Sequence, residues 1–255
     1  MIDLHAHILP GLDDGAGELE DSLGLAELAL EGGVDILVAT PHSNQTGRFE
    51  NYNTEELRKA YKDFCEILEQ EKLPLKVLPG MEIFASEDMQ ERIMDGSLTG
   101  LNDSDYYLVE FPFDADPYWI GDRLEEILET GKTPLIAHPE RYFCAQDYPA
   151  LVYEWLQMGC RTQMNKGSIF GKFGRHAAQL ADIMLTYGLV TCVASDAHSP
   201  YARTTYMGDI QDYLADRMGE EITYQLLESN PRKIIYNRKI AVHGRRPERR
   251  RRFFR

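Results

Sequence analysis

The chain has 255 residues, 43% of them hydrophobic, and a formal net charge of −15. That is enough apolar material for a sizeable core, and α/β barrels of this length are commonly one domain. The N-terminus has no basic n-region or apolar stretch of signal-peptide length, and no run approaches the ~20 apolar residues that span a bilayer. A soluble, cytoplasmic chain without a transmembrane segment is expected.

The charge is uneven. From Arg238 to Arg255 nine Arg/Lys stand against one acid, Glu248, giving +8 and leaving −23 on the preceding residues. An acidic body argues against nucleic-acid binding. Residues 241–255 read as a basic, disordered tail; an anionic membrane surface, a polyanion or an acidic partner are its other possible roles. Cys65, Cys144, Cys160 and Cys192 form no CxxC pair, and none is followed by an arginine six positions on. Reduced, mostly buried thiols are expected, and the Cys-x5-Arg phosphatase loop is absent.

In chain order, Ile2 to His7 reads as a strand and Leu19 to Glu31 as a helix stopped by Gly32-Gly33. Val34 to His42 is a second strand, and Thr54 to Glu71 an amphipathic helix with Leu57, Tyr61, Phe64 and Leu68 on one face. Leu75 to Phe84 is the third strand, followed by a short helix near Ser86 to Met94. Tyr107 to Phe113 is the fourth, followed by a helix from Tyr118 to Glu129. Thr133 to His138 is the fifth, followed by a helix from Ala150 to Met158. Arg161 to Asn165 is the sixth, followed by a helix from Arg175 to Tyr187. Leu189 to Ser195 is the seventh, with helix to about Leu227 and a close at Ile234-Ile235. Seven βα units imply a parallel sheet, closed as a barrel more than open.

In such a fold the chemistry collects at the C-terminal strand ends. Those ends carry His5 and His7 with Asp13-Asp14 after them, then His42, Glu82, Glu110, His138 with Arg141, Asn165, and Asp196 with His198. Residues i and i+2 of a strand share a face, so His5 with His7, and Asp196 with His198, can converge on one ion. Any one of these histidines alone is unremarkable. Five of the seven on one predicted rim, joined by carboxylates that a buried site would not tolerate unpaired, point to bound metal. Imidazole and carboxylate without thiolate suit Mn, Fe(II), Zn or Mg. A carboxylate-bridged ion pair is a common device for phosphoester hydrolysis.

The HxH, the DDG after it, TPH, GxE, EFP, HPERY and SDAH motifs resemble the PHP (polymerase and histidinol phosphatase) superfamily. MIDLHAHILPGLDDGA, HPERY and NKGSIFGKFG resemble, more closely, the bacterial metal-dependent tyrosine-protein phosphatases of capsule and exopolysaccharide operons. The resemblance covers residues 1–240. It implies one phosphatase domain with a distorted (β/α)7 barrel holding three divalent ions, Mn2+ foremost. The first ion would take His5, His7, Glu82 and Asp196. The second would take Glu82, Glu110 and His138, and the third Asp14, His42 and His198. Arg141 and Arg203 would grip phosphate, and His42 or His198 would be available for leaving-group protonation. Direct attack by metal hydroxide replaces a cysteine nucleophile. The implied substrate is a phosphotyrosine protein, specifically a bacterial tyrosine kinase controlling polysaccharide synthesis; a homo-oligomer is compatible with it. A small-molecule phosphatase such as histidinol-phosphatase, or a non-catalytic kinase-binding regulator, are the rival readings.

Several other residues carry weaker expectations. Asp13 is expected to support the loop or orient a ligand. Phe49, Tyr52 and Phe113 follow rim strands and either flank a phenolic substrate or pack in loops. Lys166, Ser168 and Gly171 lie in a loop beside the cleft. Trp119 and Trp155 sit on helices at core spacing, and His176 and His243 lie off the rim facing solvent.

Overall fold

The structure, a computed structural model, describes residues 1–242 and 244–248. The solvent-facing expectation for His243, and the tail from Arg249 onward, fall outside the described residues. The strands are β1 (Ile2–Ala6), β2 (Ile36–Ala39), β3 (His42–Ser43), β4 (Lys76–Pro79), β5 (Glu82–Phe84), β6 (Tyr106–Glu110), β7 (Thr133–Ala137), β8 (Arg161–Asn165) and β9 (Cys192–Ala194). The longer helices are α1 (Leu19–Glu31), α2 (Glu55–Gln70), α3 (Pro117–Glu129), α4 (Ala150–Met158) and α5 (Arg175–Tyr187) between strands, and α6 (Gly208–Met218) after the last one.

Every strand pairing is parallel. One sheet has the order β1-β2-β4 and the other β3-β5-β6-β7-β8-β9. The predicted second and third strands are therefore each cut in two. Pro41 has no N–H to give a ladder. Gly80 is required at the second cut, because a Cβ there would lie 2.7 Å from Val38 Cγ1 and 2.9 Å from Leu101 Cδ2. Past these cuts both chains change sheets together. His42 and Glu82 become register partners at the start of the six-stranded sheet.

The β1 ladder shifts by one residue between Asp3 and Ala6. Such a bulge re-aims the side chains beyond it. Leu4 packs in an apolar cluster with Leu108 and Leu135, while the next residue, His5, reaches Glu82. Beyond β9 the chain meets β1 again. Ala6 and Ala197 form a parallel bridge, the His7 amide donates to the Ala197 carbonyl at 2.8 Å, and the Asp196 amide to the His5 carbonyl at 2.9 Å.

The larger apolar cluster lies between strands and helices and includes Phe64, Leu124, Trp155 and Leu185. Trp155 is buried and Trp119 packs at the cluster's edge. The start of the basic C-terminal stretch runs along the body. The Arg245 amide donates to the Tyr187 carbonyl at 2.9 Å, Arg246 pairs with Glu154 at 2.6 Å, and Pro247 is buried.

Candidate metal centre

The strand ends bring five imidazoles and four carboxylates together. Ligand-capable atoms of His5, His7 and Asp196 lie within 4.8 Å of one another, as do those of His42, Glu82 and Glu110, and those of His7, Asp14, His42 and His198. His138 adds to the middle group: its Nε2 is 3.0 Å from Glu82 Oε1 and 3.6 Å from Glu110 Oε1. All nine residues drawn from the resemblance are thus in one cluster. His42 stands between two of its groups, 3.3 Å from Asp14 and 3.0 Å from Glu82.

Two turns aim these groups. His138 directly follows β7 and Asp196 stands two residues past the end of β9, and both have left-handed backbone, with φ of 34° and 51°. Non-glycine residues there carry strain of order 1–3 kcal/mol, which the surrounding structure must over-determine. Asp13 does the same for β1. Its Oδ2 accepts from His7 Nδ1 at 2.6 Å and from the His42 amide at 2.8 Å, while Oδ1 accepts from the Gly15 amide at 2.9 Å. Asp13 thus braces the loop and fixes the His7 ring with one side chain.

The atoms at the centre fit a cation better than hydrogen bonds. His5 Nε2 and His7 Nε2 face each other at 3.2 Å. Glu82 Oε2 is buried within 3.0–3.2 Å of nitrogens from His5, His7 and His42, yet makes no hydrogen bond. Imidazole lone pairs and a carboxylate oxygen converging on one volume are what a divalent ion of borderline hardness needs.

Burial opposes charge throughout the centre, and the neighbours decide which groups keep theirs. It would raise Glu82, but the His5 and His42 imidazoles outweigh it and hold the carboxyl well below its usual range. Asp196 is likewise held low, against its burial, by His5, His7 and Arg203. Glu110 goes the other way, up to about 8, through burial and the negative Glu82 beside it. Burial pulls His138 down to about 4 and His198 to about 3; a neutral imidazole is the state that ligates metal. Burial would lower His42 too, but Glu82 and Asp14 raise it to about 10. Without a cation, carboxylates this crowded are balanced by imidazolium protons; a bound cation supplies that charge and releases them.

A cleft of about 310 Å³ opens over the cluster, lined by Asp14, His42, Glu110, Phe113, Arg141 and Arg203 among others. Arg141 lies between two rings, 4.3 Å over Phe113 and 4.4 Å over Phe173. Arg203 also lies over Phe173, at 5.3 Å. Both arginines also face Asp196: Arg141 Nη1 is 3.6 Å from Oδ2, and Arg203 pairs with the same oxygen more closely.

Three cleft features carry no signal in the sequence. Phe173 supports both arginines, although the NKGSIFGKFG stretch that contains it draws attention to other residues. Arg48, which also lines the cleft and is 64% exposed at its side chain, pairs with Asp14 Oδ2 at 3.3 Å. Gln163 and Asn165 on β8 contact His5, His138 and Asp196, whereas the sequence marks Asn165 only as a strand end. Phe49 stacks on His42 at 5.5 Å, with 9° between the rings. Tyr52 turns away instead, donating to Asn44 and packing under Arg92. Lys166 also turns away, donating to the Tyr206 carbonyl, and Ser168 is buried. His176 is exposed, off the rim.

Comparison with known proteins gives a consistent result. Residues 1–236 match the family described as capsular polysaccharide synthesis, CpsB/CapC. The chain is 35% identical over 254 residues to tyrosine-protein phosphatase YwqE of Bacillus subtilis, covering 100% of this chain and 99% of the relative. It is 34% identical to tyrosine-protein phosphatase CpsB of Streptococcus pneumoniae, covering 94% and 100%. A solved structure from work on YwqE and CpsB, described there as unique metal-dependent tyrosine phosphatases, superposes with a TM-score of 0.90 at 34% identity, covering 98% of this chain and 100% of that one. With this agreement along almost its entire length, the chain belongs to the CpsB/CapC family of capsular polysaccharide synthesis.

Proposed function

We propose that the protein is a metal-dependent tyrosine-protein phosphatase. The observation that carries this is the single cleft in which Arg141 and Arg203 face the imidazole–carboxylate cluster. The full-length relatives named as tyrosine-protein phosphatases support it. The substrate protein is a bacterial tyrosine kinase governing polysaccharide assembly, in keeping with the family's description. The fold is read as a distorted (β/α)7 barrel; the Ala6–Ala197 bridge between the first strand and the segment just past the last supports closure.

The ligand set starts from the three groups, with Glu82 added to the first through its contacts with His5 and His7, and His138 in the second in place of His42. His5, His7, Glu82 and Asp196 hold one divalent ion, Glu82, Glu110 and His138 a second, and Asp14, His42 and His198 a third, with Mn2+ the preferred metal. Such ions supply Lewis acidity, which lowers the pKa of water and offsets negative charge on a phosphoryl group. Arg141 and Arg203 present guanidinium donors to the phosphoryl oxygens, an arrangement that strengthens as charge develops there. Phe173 fixes their planes, so little reorganisation is needed. Phe49 and Phe113 flank the phenyl ring from either wall.

His42 cannot hold an ion and donate a proton in the same state. A nitrogen that holds an ion has no proton to give, so in this reading the contacts of His42 and His198 with Asp14 cast both as ligands more than as the general acid. A phenolate is a good leaving group and departs without one. Hydrolysis of a phosphotyrosine peptide, histidinol phosphate and a free aryl phosphate, each under metal titration, tests the reading. The peptide is expected to be turned over with the highest kcat/KM; preference for histidinol phosphate would transfer the assignment to a small-molecule phosphatase.

A further inference from the structure

β8 offers no ligand to the cluster, yet two of its side chains touch three of the groups that do. Gln163 and Asn165 are fully buried and, at i and i+2, share a face of the strand. Gln163 Oε1 is 3.0 Å from His5 Nδ1 and accepts the His138 amide at 3.3 Å. Gln163 Nε2 donates to Asn165 Oδ1 at 2.9 Å. Asn165 Nδ2 donates to Asp196 Oδ2, and its backbone amide to Glu140 Oε1 at 3.0 Å.

The direction of this chain is fixed from both ends. A backbone N–H only donates, so the Gln163 oxygen must face His138. An ionised carboxylate only accepts, so the Asn165 nitrogen must face Asp196. The amide orientations between them follow, leaving His5 Nδ1 facing an oxygen that can only accept. His5 is thereby held as the Nδ1–H tautomer, with its Nε2 lone pair turned toward His7 and Glu82. Asp196 is sorted in the same way. Its Oδ2 is taken up by Asn165 and the two arginines, while Oδ1 is left 3.5 Å from His5 and 3.6 Å from His7.

We infer that Gln163 and Asn165 are positioning residues that set the His5 tautomer, the His138 turn and the Asp196 carboxylate together, so that the first and second ion sites load as one unit. This rests on the ion assignment proposed above. Partners that orient a ligating histidine typically contribute 10–100-fold in metal affinity.

The test uses the full chain stripped of metal and titrated with Zn2+ or Mn2+, followed by calorimetry and direct metal counting. Gln163→Leu keeps the volume and removes the acceptor. It is expected to lower affinity at two sites together by about 10–100-fold, with kcat for a phosphotyrosine peptide falling and KM holding. Gln163→Glu keeps an oxygen for His5 and His138 and is expected to recover most of that affinity. In the zinc-loaded protein, imidazole 15N spectra should show His5 protonated at Nδ1 in the wild type and in Gln163→Glu. Should Gln163→Leu fold poorly, Asn165→Ala is the second probe; it frees Gln163 Nε2 as well as Asp196 and is expected to weaken the first and second sites together. A folded Gln163→Leu protein with wild-type stoichiometry and affinity overturns the inference, as does loss of one ion while the other binds normally. Failure of the wild type to bind ions at all would overturn the ion assignment as well, which separates the two failures.

Discussion

Arg141 and Arg203 are not equivalent residues. Arg141 is held by two aromatic faces and stands 3.6 Å from Asp196. Arg203 donates through Nε to the Asp196 carbonyl at 3.1 Å and pairs with its carboxylate, and its own carbonyl accepts the His198 amide at 2.8 Å. Arg141→Ala is therefore expected to lose about 10²–10³ in turnover with its metal content unchanged. Arg203→Ala should lose comparable rate and also bind metal more weakly, because Asp196 loses an orienting partner. His5→Ala and Asp196→Ala should lose metal and turnover together. Metal counting beside kcat on a phosphotyrosine peptide separates these classes; near-wild-type rates in both arginine variants would reduce the arginines to surface residues.

The thiols give a second prediction at this scale. Burial pushes the Cys160 thiol up to about 12 and raises Cys192 as well. A thiol whose folded value exceeds its unfolded value keeps its proton longer in the native state. Its contribution to stability is present below the ordinary thiol range and is lost as pH rises from there toward 12. At neutral pH these thiols are protonated and poor nucleophiles. Iodoacetamide at pH 8 should leave Cys160 and Cys192 unlabelled until denaturant is added, and replacing all four cysteines should spare catalysis. Rapid labelling with loss of activity would contradict hydrolysis without a cysteine.

At the level of elements, strand ends are legible because apolar runs terminate visibly in polar residues such as Glu82, Glu110 and Asp196. The backbone beyond each run is harder to read. The left-handed turns at His138 and Asp196 have no glycine to mark them. The sheet change at Pro41 and Gly80 interrupts runs that look continuous in hydropathy. The role of β8 is hidden because Gln163 and Asn165 act through other residues and match no ligand pattern. The loop after β1 supplies the test at this scale. A Cβ on Gly15 would lie 2.3 Å from both the Cβ and the carbonyl oxygen of His7. Gly15→Ala must displace His7 or the Asp13 turn, at a cost of about 1–3 kcal/mol. The expected result is a lower Tm together with lost metal, read by calorimetry and metal analysis; a variant that keeps full metal would mean that this loop yields without moving the ligand.

Across the whole molecule the problem is charge. The chain carries −15 overall, and four of its carboxylates converge inside the cleft that is to receive a phosphate dianion. Without ions the crowding is relieved by protons on His5, His7 and His42, while His138 and His198 are held neutral. Three divalent ions would turn the centre positive and make the cleft attractive to phosphate within an acidic surface. Cations that bind only the native state stabilise it by mass action, about 2.7 kcal/mol for an ion present at 100 times its Kd. For a chain of this size each kcal/mol moves Tm by roughly 2–4 °C. Chelation is therefore expected to lower Tm by roughly 5–10 °C per tightly bound ion and to abolish phosphotyrosine hydrolysis. Mn2+ should restore both at least as well as Mg2+, because Mg2+ demands oxygen ligands and strict octahedral geometry, whereas five imidazoles surround this centre. Full turnover in a sample shown by metal analysis to be stripped would rule out the metal-dependent mechanism. An unchanged Tm alongside lost activity would show ions that act in the chemistry without contributing to the fold.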